Sequence, residues 1–254
     1  MSTVNPNEGR KVLVQVRNLV KSFGDLLVLD DVSFDVHEGE FLCIVGPTGC
    51  GKTTFLNTLS TLYEKNSGEI LINGDPVDLR VHDLAYVLQE PSTMSWLTVE
   101  QNVRFGLNLK KIPKDVADER VDEVLKMVNL QDYRNYYPSQ LSISMIQRVV
   151  IARAFVTQPH LLLMDEPYGQ LDLELRYRLE DDLLELWKKT GTTVIFITHN
   201  IEEAVYLGER VMVLTDKPAT IREEIMVDIP RPRSFSDPEF VKIRNHVTEM
   251  IKWW

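Results

Sequence analysis

The sequence predicts an α/β fold with a mainly parallel sheet, and three observations lead to this class. Residues 41–45 and 161–164 form short apolar runs, which are typical of strands buried on both faces. Segments with apolar residues at helical spacing alternate with such runs, and this order indicates a sheet covered by helices. The composition, 44% hydrophobic and 26% charged over 254 residues, is that of a globular chain able to bury a large core.

Strand patterns occupy the first part of the chain and return after its middle. Alternating or β-branched apolar residues, bounded by turn residues, define each of them. The predicted strands are 12–16, two stretches within 27–36, then 41–45, 69–73, 82–89, 160–164, 192–198, 211–215 and 221–229.

Helical spacing of apolar residues predicts the remaining elements. The predicted helices are 52–62, 171–189, 201–207, capped by Asn200, and 240–254, with two further stripes at 116–128 and 145–155. Because these stripes interrupt the strand pattern, residues 91–158 are predicted to form a helical subdomain within a single domain, 1–254. Residues 12–90 and 159–230 then form the core, and 231–254 contain an amphipathic terminal helix.

Charge and cysteine content argue against several classes of protein. The net charge of −10, from 38 acidic and 28 basic residues, disfavours a nucleic-acid partner. Cys43 and Cys50 lie too close in sequence for the disulfide framework of a secreted protein. The apolar runs are far shorter than the ~18 residues of a membrane span, and residues 1–11 lack the apolar core of a signal peptide. We therefore expect a cytoplasmic chain with reduced thiols.

A glycine-rich turn between the strand 41–45 and the helix 52–62 matches the phosphate-binding pattern G-x-x-x-x-G-K-[ST]. In this context the loop N–H groups and the helix N-terminus point at phosphate oxygens. Lys52 reaches the β- and γ-phosphates, and the hydroxyl of Thr53 is placed to bind Mg²⁺. The predicted loop residues are Gly46, Pro47, Thr48, Gly49, Cys50, Gly51, Lys52 and Thr53, followed by Thr54 in the helix.

Cys50 allows two interpretations. It is a small residue tolerated in the loop, or it is a thiol whose pKa the helix terminus lowers, which would make nucleotide binding sensitive to oxidation.

Two acids end the apolar strand 160–164. A strand parallel to 41–45 would bring Asp165 to the sheet edge where ligands bind in α/β folds. Asp165 would then hold Mg²⁺ through its water shell, and Glu166 would orient or deprotonate the attacking water. The alternative is a strand that ends in solvated acids.

Four further pieces occur in a fixed order around this loop: residues 86–90 (YVLQE), 141–148 (LSISMIQR), 171–172 (LD) and 198–199 (TH). Together with the loop, they make residues 12–215 resemble the ATP-binding cassette (ABC) transporter ATPases. The resemblance implies a P-loop NTPase (RecA-like) core with a mainly parallel sheet, an antiparallel β subdomain and an inserted α-helical subdomain. It also implies that the nucleotide is ATP.

The same resemblance implies roles for the matching residues. Phe23 would stack on adenine, and Gln89 would touch Mg²⁺ and sense the membrane subunit. Ser142 would face the γ-phosphate of ATP held by the opposite subunit, Asp172 would communicate across the dimer, and His199 would contact the γ-phosphate. The alternatives are packing for Phe23 and solvated strand ends for Gln89 and His199.

The signature segment departs from the family pattern. Leu-Ser-Gly-Gly-Gln is usual, whereas residues 141–145 read Leu-Ser-Ile-Ser-Met, which places the bulky Ile143 where a γ-phosphate should approach. In a homodimer both sites would carry this segment, and turnover would be slow or dependent on the membrane partner. In a heterodimer, Lys52, Asp165, Glu166 and His199 would complete the working site with an intact signature from the other subunit.

Residues 94–99 (MSWLTV), 165–169 and the tail 230–233 (PRPR) are similar to the nitrate/sulfonate/taurine importer group. This implies transmembrane permease subunits, a second ABC ATPase subunit and, indirectly, an extracytoplasmic solute-binding protein as partners, with the chain peripheral on the cytoplasmic face of the membrane.

Trp96 and Leu97 either line the groove for a permease helix or pack in the core. The stripe from Phe240 to Trp254 either packs on the sheet domain or contacts a partner or the membrane interface.

Three other functions compete with a transport ATPase. Soluble cassette proteins of translation or DNA repair usually have two cassettes or a long coiled coil, and this sequence shows neither pattern. An ATP-clamping regulatory subunit is disfavoured by the presence of Glu166 and His199. A P-loop kinase or GTPase would leave the pieces containing Gln89 and Ser142 unexplained.

Overall fold

The structure, a computed structural model, describes residues 9–169 and 171–251. It divides into two compact units. The first contains the described residues up to His82 and from Thr193 onward, and the second is Asp83–Thr192. The second unit contains all of the predicted helical subdomain, 91–158, together with flanking strands and a long helix.

The predicted elements occur in the predicted order, and the structure adds two that were not predicted, a strand at 75–76 and a helix at 99–109. The strands are β1 (Val12–Phe23), β2 (Leu26–His37), β3 (Phe41–Val45), β4 (Ser67–Ile72), β5 (Asp75–Pro76), β6 (Leu84–Val87), β7 (Leu161–Asp165), β8 (Thr193–Ile197), β9 (Arg210–Leu214) and β10 (Ile221–Met226). The helices are α1 (Lys52–Leu59), α2 (Val99–Leu109), α3 (Lys114–Met127), α4 (Ile143–Phe155), α5 (Leu173–Thr190), α6 (Ile201–Leu207) and α7 (Pro238–Ile251).

The first unit contains an antiparallel sheet and a buried parallel set of strands. The antiparallel sheet has the order β2-β1-β4-β5. In the other set, β3 lies between β8 and β9 and runs parallel to both, while β10 is antiparallel to β9. Every residue of β3, β8 and β9 is buried. This burial was predicted for β3 and β8. The predicted α/β class is confirmed.

The second unit pairs β6 with β7 in parallel and adds four helices, α2 to α5. Helix α2 begins with a capping box, in which Thr98 accepts from the N–H of Gln101 and the Gln101 side chain accepts from the N–H of Thr98. The apolar faces of α2, α3 and α4 are buried. The stripes of α3 and α4 were predicted from the sequence, whereas α2 was not.

Several predicted boundaries are wrong, each for a local reason. Helix α1 ends at Leu59, not at residue 62, because Thr61 adopts a positive φ of 63°. Helix α5 begins at Leu173, not at 171, because Asp172 has the extended backbone of an N-cap. The two β-rich stretches within 27–36 form one strand, in which Asp31 has a φ of 50°.

The terminal helix α7 packs inside the first unit. Phe240 and Val247 are fully buried, and Phe240 contacts Phe235, which stacks on Tyr206 of α6. These contacts favour the packing interpretation of the stripe. Trp253 and Trp254, assigned to the same stripe, lie outside the described residues. Within the described part of the chain, no helix combines the length and apolar character that a bilayer crossing needs.

Candidate functional site

The predicted phosphate loop connects the buried strand β3 to helix α1. Gly49 and Gly51 have φ angles of 79° and 127°, a region that residues with a Cβ rarely adopt. A Cβ on Gly51 would also lie 2.9 Å from Cγ1 of Val28. The backbone curvature therefore requires glycine at these positions, as a loop that wraps around an anion does.

Lys52 lies inside this curve. Its side chain is buried, and Nζ donates to the carbonyl oxygens of Gly46, at 2.9 Å, and Pro47, at 3.0 Å. Thr53 is exposed and Thr54 is half-buried in the first turn of α1, which contains no acidic residue. The helix N-terminus and the Lys52 ammonium together make this loop electropositive.

The environment of Cys50 does not fit the hypothesis of a reactive thiol. The side chain is fully buried, and burial raises the pKa of its thiol above the ordinary value, outweighing the opposite effect of Lys52. The hypothesis of a lowered pKa is therefore wrong, because desolvation disfavours the thiolate more than the nearby positive charge favours it.

His199 lies at the same strand ends as the loop. Ile44 of β3 pairs with Ile197 of β8 in parallel register, so Gly46 and His199 each follow their strand by the same two residues. The imidazole is exposed. Asn200 caps α6 as predicted, its side chain accepting from the N–H groups of Glu202 and Glu203. The structure thus brings His199 and the phosphate loop to one edge.

Phe23 ends β1, and its ring is 44% exposed. It has two close neighbours that sequence reasoning missed, the ring of Tyr63 and the ammonium of Lys21. Lys21 lies two residues before Phe23, but nothing in the local sequence relates Phe23 to a tyrosine forty positions later.

The second unit contains the other predicted residues. Val87 of β6 pairs with Met164 of β7, so Gln89 and Glu166 each follow that pair by two residues and lie at one edge. Asp165 is buried and Glu166 is half-buried. Glu166 has a φ of 43°, a left-handed conformation that residues other than glycine seldom adopt and that sequence patterns did not reveal.

Ser142 and Asp172 cap helices of the second unit. The Ser142 hydroxyl accepts from the N–H of Met145 at the start of α4 and lies 2.9 Å from the Ser144 hydroxyl. The Asp172 carboxylate accepts from the N–H of Leu175 at the start of α5. The signature segment begins α4, two residues before the predicted stripe 145–155, and the side chain of Ile143 is 60% exposed in the first turn.

Comparison with known proteins agrees with this geometry. Residues 29–169 match the family model described as ABC transporter. An uncharacterized ABC transporter ATP-binding protein of Methanocaldococcus jannaschii is 41% identical over 253 residues, covering 98% of this chain and 95% of the relative. The chain belongs to the ABC transporter ATPase family. It is an ATP-hydrolysing enzyme.

Two further similar proteins are an ATPase named for sulfonate import and a solved cassette dimer. The aliphatic sulfonates import ATP-binding protein of Bacillus subtilis is 41% identical over 220 residues, 87% of this chain and 85% of the relative. A solved dimeric ATP-binding cassette in a post-hydrolysis state, bound to ADP and Pi, has a TM-score of 0.74 and 30% identity, covering 86% of this chain and 100% of that one.

The residues predicted from the sequence to bind Mg²⁺ are Thr53 in the first unit and Gln89 and Asp165 in the second. Hydroxyl, amide and carboxylate oxygens are the ligands that Mg²⁺ takes, and this ion is usually held by one or two protein groups together with substrate phosphates and water. The donor set therefore fits Mg²⁺. Among the described residues, no group of three or more His, Cys, Asp or Glu side chains could hold a metal ion.

The second unit of the ABC ATPase also contains an apolar groove of about 550 Å³. The lining residues include Tyr86, Met94, Phe105, Leu109, Val150 and Arg153. Burial lowers the pKa of Arg153, whose guanidinium donates to the carbonyl and hydroxyl oxygens of Ser92. Trp96 is 72% exposed, so the core-packing interpretation of that residue is wrong.

Proposed function

We propose that this ATPase is the nucleotide-binding subunit of an importer for a small anionic solute of the sulfonate class. The observation that carries the proposal is the phosphate loop with its buried Lys52, in a chain 41% identical to a sulfonate-import ATPase. The permease and an extracytoplasmic binding protein would select the solute. The chain itself would be peripheral on the cytoplasmic face of the membrane.

The loop would bind the phosphates of ATP. The N–H groups around Gly49 and Gly51 and the N-terminus of α1 supply donors and positive potential, and Lys52 would exchange its two carbonyl acceptors for phosphate oxygens. Mg²⁺, when bound by Thr53, Gln89 and Asp165, neutralises charge on the phosphate oxygens. Phe23 would stack on the adenine.

Hydrolysis would use the acids and imidazole at the strand ends. Glu166 would accept a proton from a water molecule as its oxygen attacks the γ-phosphorus, and the bond to the β-phosphate oxygen would break with ADP leaving. His199 would donate to a γ-phosphate oxygen. In this scheme, the left-handed backbone of Glu166 sets the direction of its carboxylate.

A second cassette would complete the site. Ser142, at the N-terminus of α4, would present its hydroxyl to the γ-phosphate held by the opposite subunit, and Asp172 would lie at the contact between cassettes. The dimeric solved cassette, which this chain matches over 86% of its length, supports a dimer. Closure of the dimer on ATP and its reopening after hydrolysis would drive the permease, because ATP favours the closed state.

The permease would dock in the apolar groove of the second unit. An exposed apolar groove is typical of a site that receives an amphipathic helix, and Leu109 and Trp96 are large apolar side chains exposed in this unit. The residue Gln89, two positions after β6, would transmit the state of the nucleotide to this groove, since Tyr86 of the same strand lines it.

The test uses the chain purified with its permease from native membranes and placed in liposomes. We expect ATP-driven transport of an aliphatic sulfonate.

The variant Glu166→Gln should still bind ATP but lose at least about 100-fold in turnover. The control variant Glu239→Gln replaces an exposed glutamate of α7 and should behave as wild type. Leu109→Glu should reduce recovery of the permease, and Val81→Glu, equally exposed in the first unit, should not.

Each outcome of this test has a distinct meaning. Normal hydrolysis by Glu166→Gln would make the catalytic assignment wrong. Failure to recover any permease would remove the transport assignment while leaving the ATPase. Transport of a different solute would contradict only the proposal that the solute is a sulfonate.

Exposure of Ile143 favours one alternative, a cassette with weak turnover that clamps ATP or serves as the degenerate partner in a heterodimer. The double variant Ile143→Gly/Ser144→Gly tests it. A rise in turnover would show that the signature limits hydrolysis, and unchanged turnover would show that the departure is harmless.

A further inference from the structure

The side chain of Phe23 belongs to a small exposed cluster, which we define as Lys21, Phe23 and Tyr63. The Phe23 and Tyr63 rings meet edge to face, with centroids 5.4 Å apart and an interplanar angle of 86°. Nζ of Lys21 lies over the Phe23 ring, 4.5 Å from its centroid, and 6.0 Å from that of Tyr63. Both rings are about two-fifths exposed, so neither serves as a core residue.

Backbone and side-chain hydrogen bonds hold the two sides of this cluster together. The N–H of Asn66 donates to the carbonyl of Val20, and the Asn66 side chain accepts from the N–H of Ser22. Nζ of Lys21 donates to the carbonyl of Glu64 at 2.7 Å. The turn that follows α1 is thereby attached along the end of β1, which fixes Tyr63 beside Phe23.

The same helix connects this cluster to the phosphate loop. Helix α1 begins at Lys52 and has eight residues, a length of about 12 Å. The turn containing Tyr63 follows its C-terminus, where the N–H of Tyr63 donates to the carbonyl of Asn57. One short, rigid element therefore separates the group that would bind the phosphates from the group that holds Phe23.

We propose that Tyr63 and Lys21 are positioning residues for the nucleobase, and this rests on the proposed stacking of adenine on Phe23. Lys21 covers one face of the Phe23 ring, so the base stacks on the opposite face. Tyr63 packs against Phe23 and holds its ring in one orientation before nucleotide binds. An aromatic ring that is already oriented loses less conformational freedom on binding, which increases affinity for the base and leaves phosphate affinity unchanged.

The test measures dissociation constants of the full chain for ADP and for inorganic pyrophosphate by calorimetry. Tyr63→Ala should weaken ADP binding about three- to ten-fold, the range expected for one aromatic pair, without changing pyrophosphate binding. Tyr63→Phe keeps the ring and should bind ADP within about two-fold of wild type. Lys21→Met should weaken ADP binding about two- to five-fold. Leu62→Ala, an exposed apolar neighbour of Tyr63, is the matched control and should change neither constant.

Phe23→Ala separates this inference from the role of Phe23 itself. Unchanged ADP affinity in Phe23→Ala would remove the adenine platform and this inference with it. Weakened binding in Phe23→Ala with normal binding in Tyr63→Ala and Lys21→Met would overturn the inference alone. Equal losses for ADP and pyrophosphate in Tyr63→Ala would also overturn it, because a positioning residue for the base does not affect the phosphate subsite.

Discussion

Cys50 shows how burial decides the chemistry of a single residue. A thiol at a helix N-terminus next to a lysine has the neighbours of a reactive cysteine. In the folded chain, however, the side chain is fully buried, and its thiol pKa is raised. Cys50 is therefore a small packing residue of the loop.

We predict that Cys50 reacts slowly with thiol reagents. At pH 7 the raised pKa leaves a smaller thiolate fraction than in an exposed cysteine, and the fraction grows only as the pH rises toward that pKa. In Cys43→Ala, which leaves Cys50 as the one cysteine, alkylation by N-ethylmaleimide at pH 7 should be slower than that of a cysteine peptide and should accelerate at higher pH. Fast alkylation at pH 7, or an ATPase that Cys50→Ala protects from peroxide, would contradict this.

Glu166 carries backbone strain at the proposed catalytic position. Its φ of 43° costs a residue with a Cβ about 1–2 kcal/mol, whereas glycine adopts it freely. Backbone strain of this kind is typical of functional sites, and here it occurs at the residue whose side chain would have to point at the attacking water.

We predict that Glu166→Gly is more stable than Glu166→Ala by about 1 kcal/mol in the free energy of unfolding, because only glycine relieves the strain. Both variants should lack hydrolysis, and urea denaturation measures the difference. The control pair is Glu185→Gly and Glu185→Ala, at an exposed position within α5. There the order should reverse, with glycine less stable by about 1 kcal/mol. Equal stabilities at position 166 would mean that the left-handed backbone is not strained.

At the scale of elements, the first turns of α4 and α5 depend on residues that the sequence also assigns to the dimer contact. Ser142 caps α4 and Asp172 caps α5, each by accepting a hydrogen bond from an N–H three residues later. Such caps satisfy helix N–H groups that have no other partner within the helix. These two residues therefore have a structural role within the chain, independent of any second subunit.

We predict that Asp172→Ala lowers the free energy of unfolding by about 1 kcal/mol, because α5 loses its cap. Asp172→Asn retains a side-chain acceptor and should unfold within a few tenths of a kcal/mol of wild type. Chemical denaturation of the isolated chain measures both. If Asp172→Asn lowers ATP turnover while keeping stability, the charge has a second role between subunits. If Asp172→Ala is as stable as wild type, the cap contributes nothing.

At the scale of the whole molecule, the buried side chain of Arg233 helps to attach the segment after β10 to the first unit. The guanidinium of Arg233 donates to five backbone carbonyls, those of Val205, Tyr206, Gly208, Val227 and Ile229. Burial lowers the pKa of Arg233 to about 9, so the group is still charged at pH 7. Arg233 thereby joins the C-terminal end of α6 to the residues that follow β10.

We predict that Arg233→Met lowers the free energy of unfolding by at least about 3 kcal/mol, because it leaves several buried carbonyls without a donor. Thermal unfolding of the full chain measures the loss. Arg80→Met is the matched control, since Arg80 is exposed and pairs only at the surface with Asp78, and it should leave the midpoint unchanged. A wild-type midpoint for Arg233→Met would show that water replaces the guanidinium without cost.

Much of the architecture could be predicted because it depends on short-range pattern. Continuous apolar runs predicted the buried strands β3, β7 and β8, and helical spacing predicted α4 and α5, with boundaries correct to within two residues. The loop 46–53 was also predictable, since its glycines and Lys52 are adjacent in the chain. The roles of Gln89, Ser142 and Asp172 came from resemblance and stay predictions.

Local order of residues was thus enough to establish the α/β class, the phosphate loop and the identity of the acids at the ends of strands, because periodicity and adjacency are properties of short segments. Contacts between distant segments decided the rest: Tyr63 against Phe23, Arg233 on the end of α6, and the burial of Cys50. These depend on how the chain excludes water and pairs its buried polar groups, and both are settled only when elements far apart in the chain pack together.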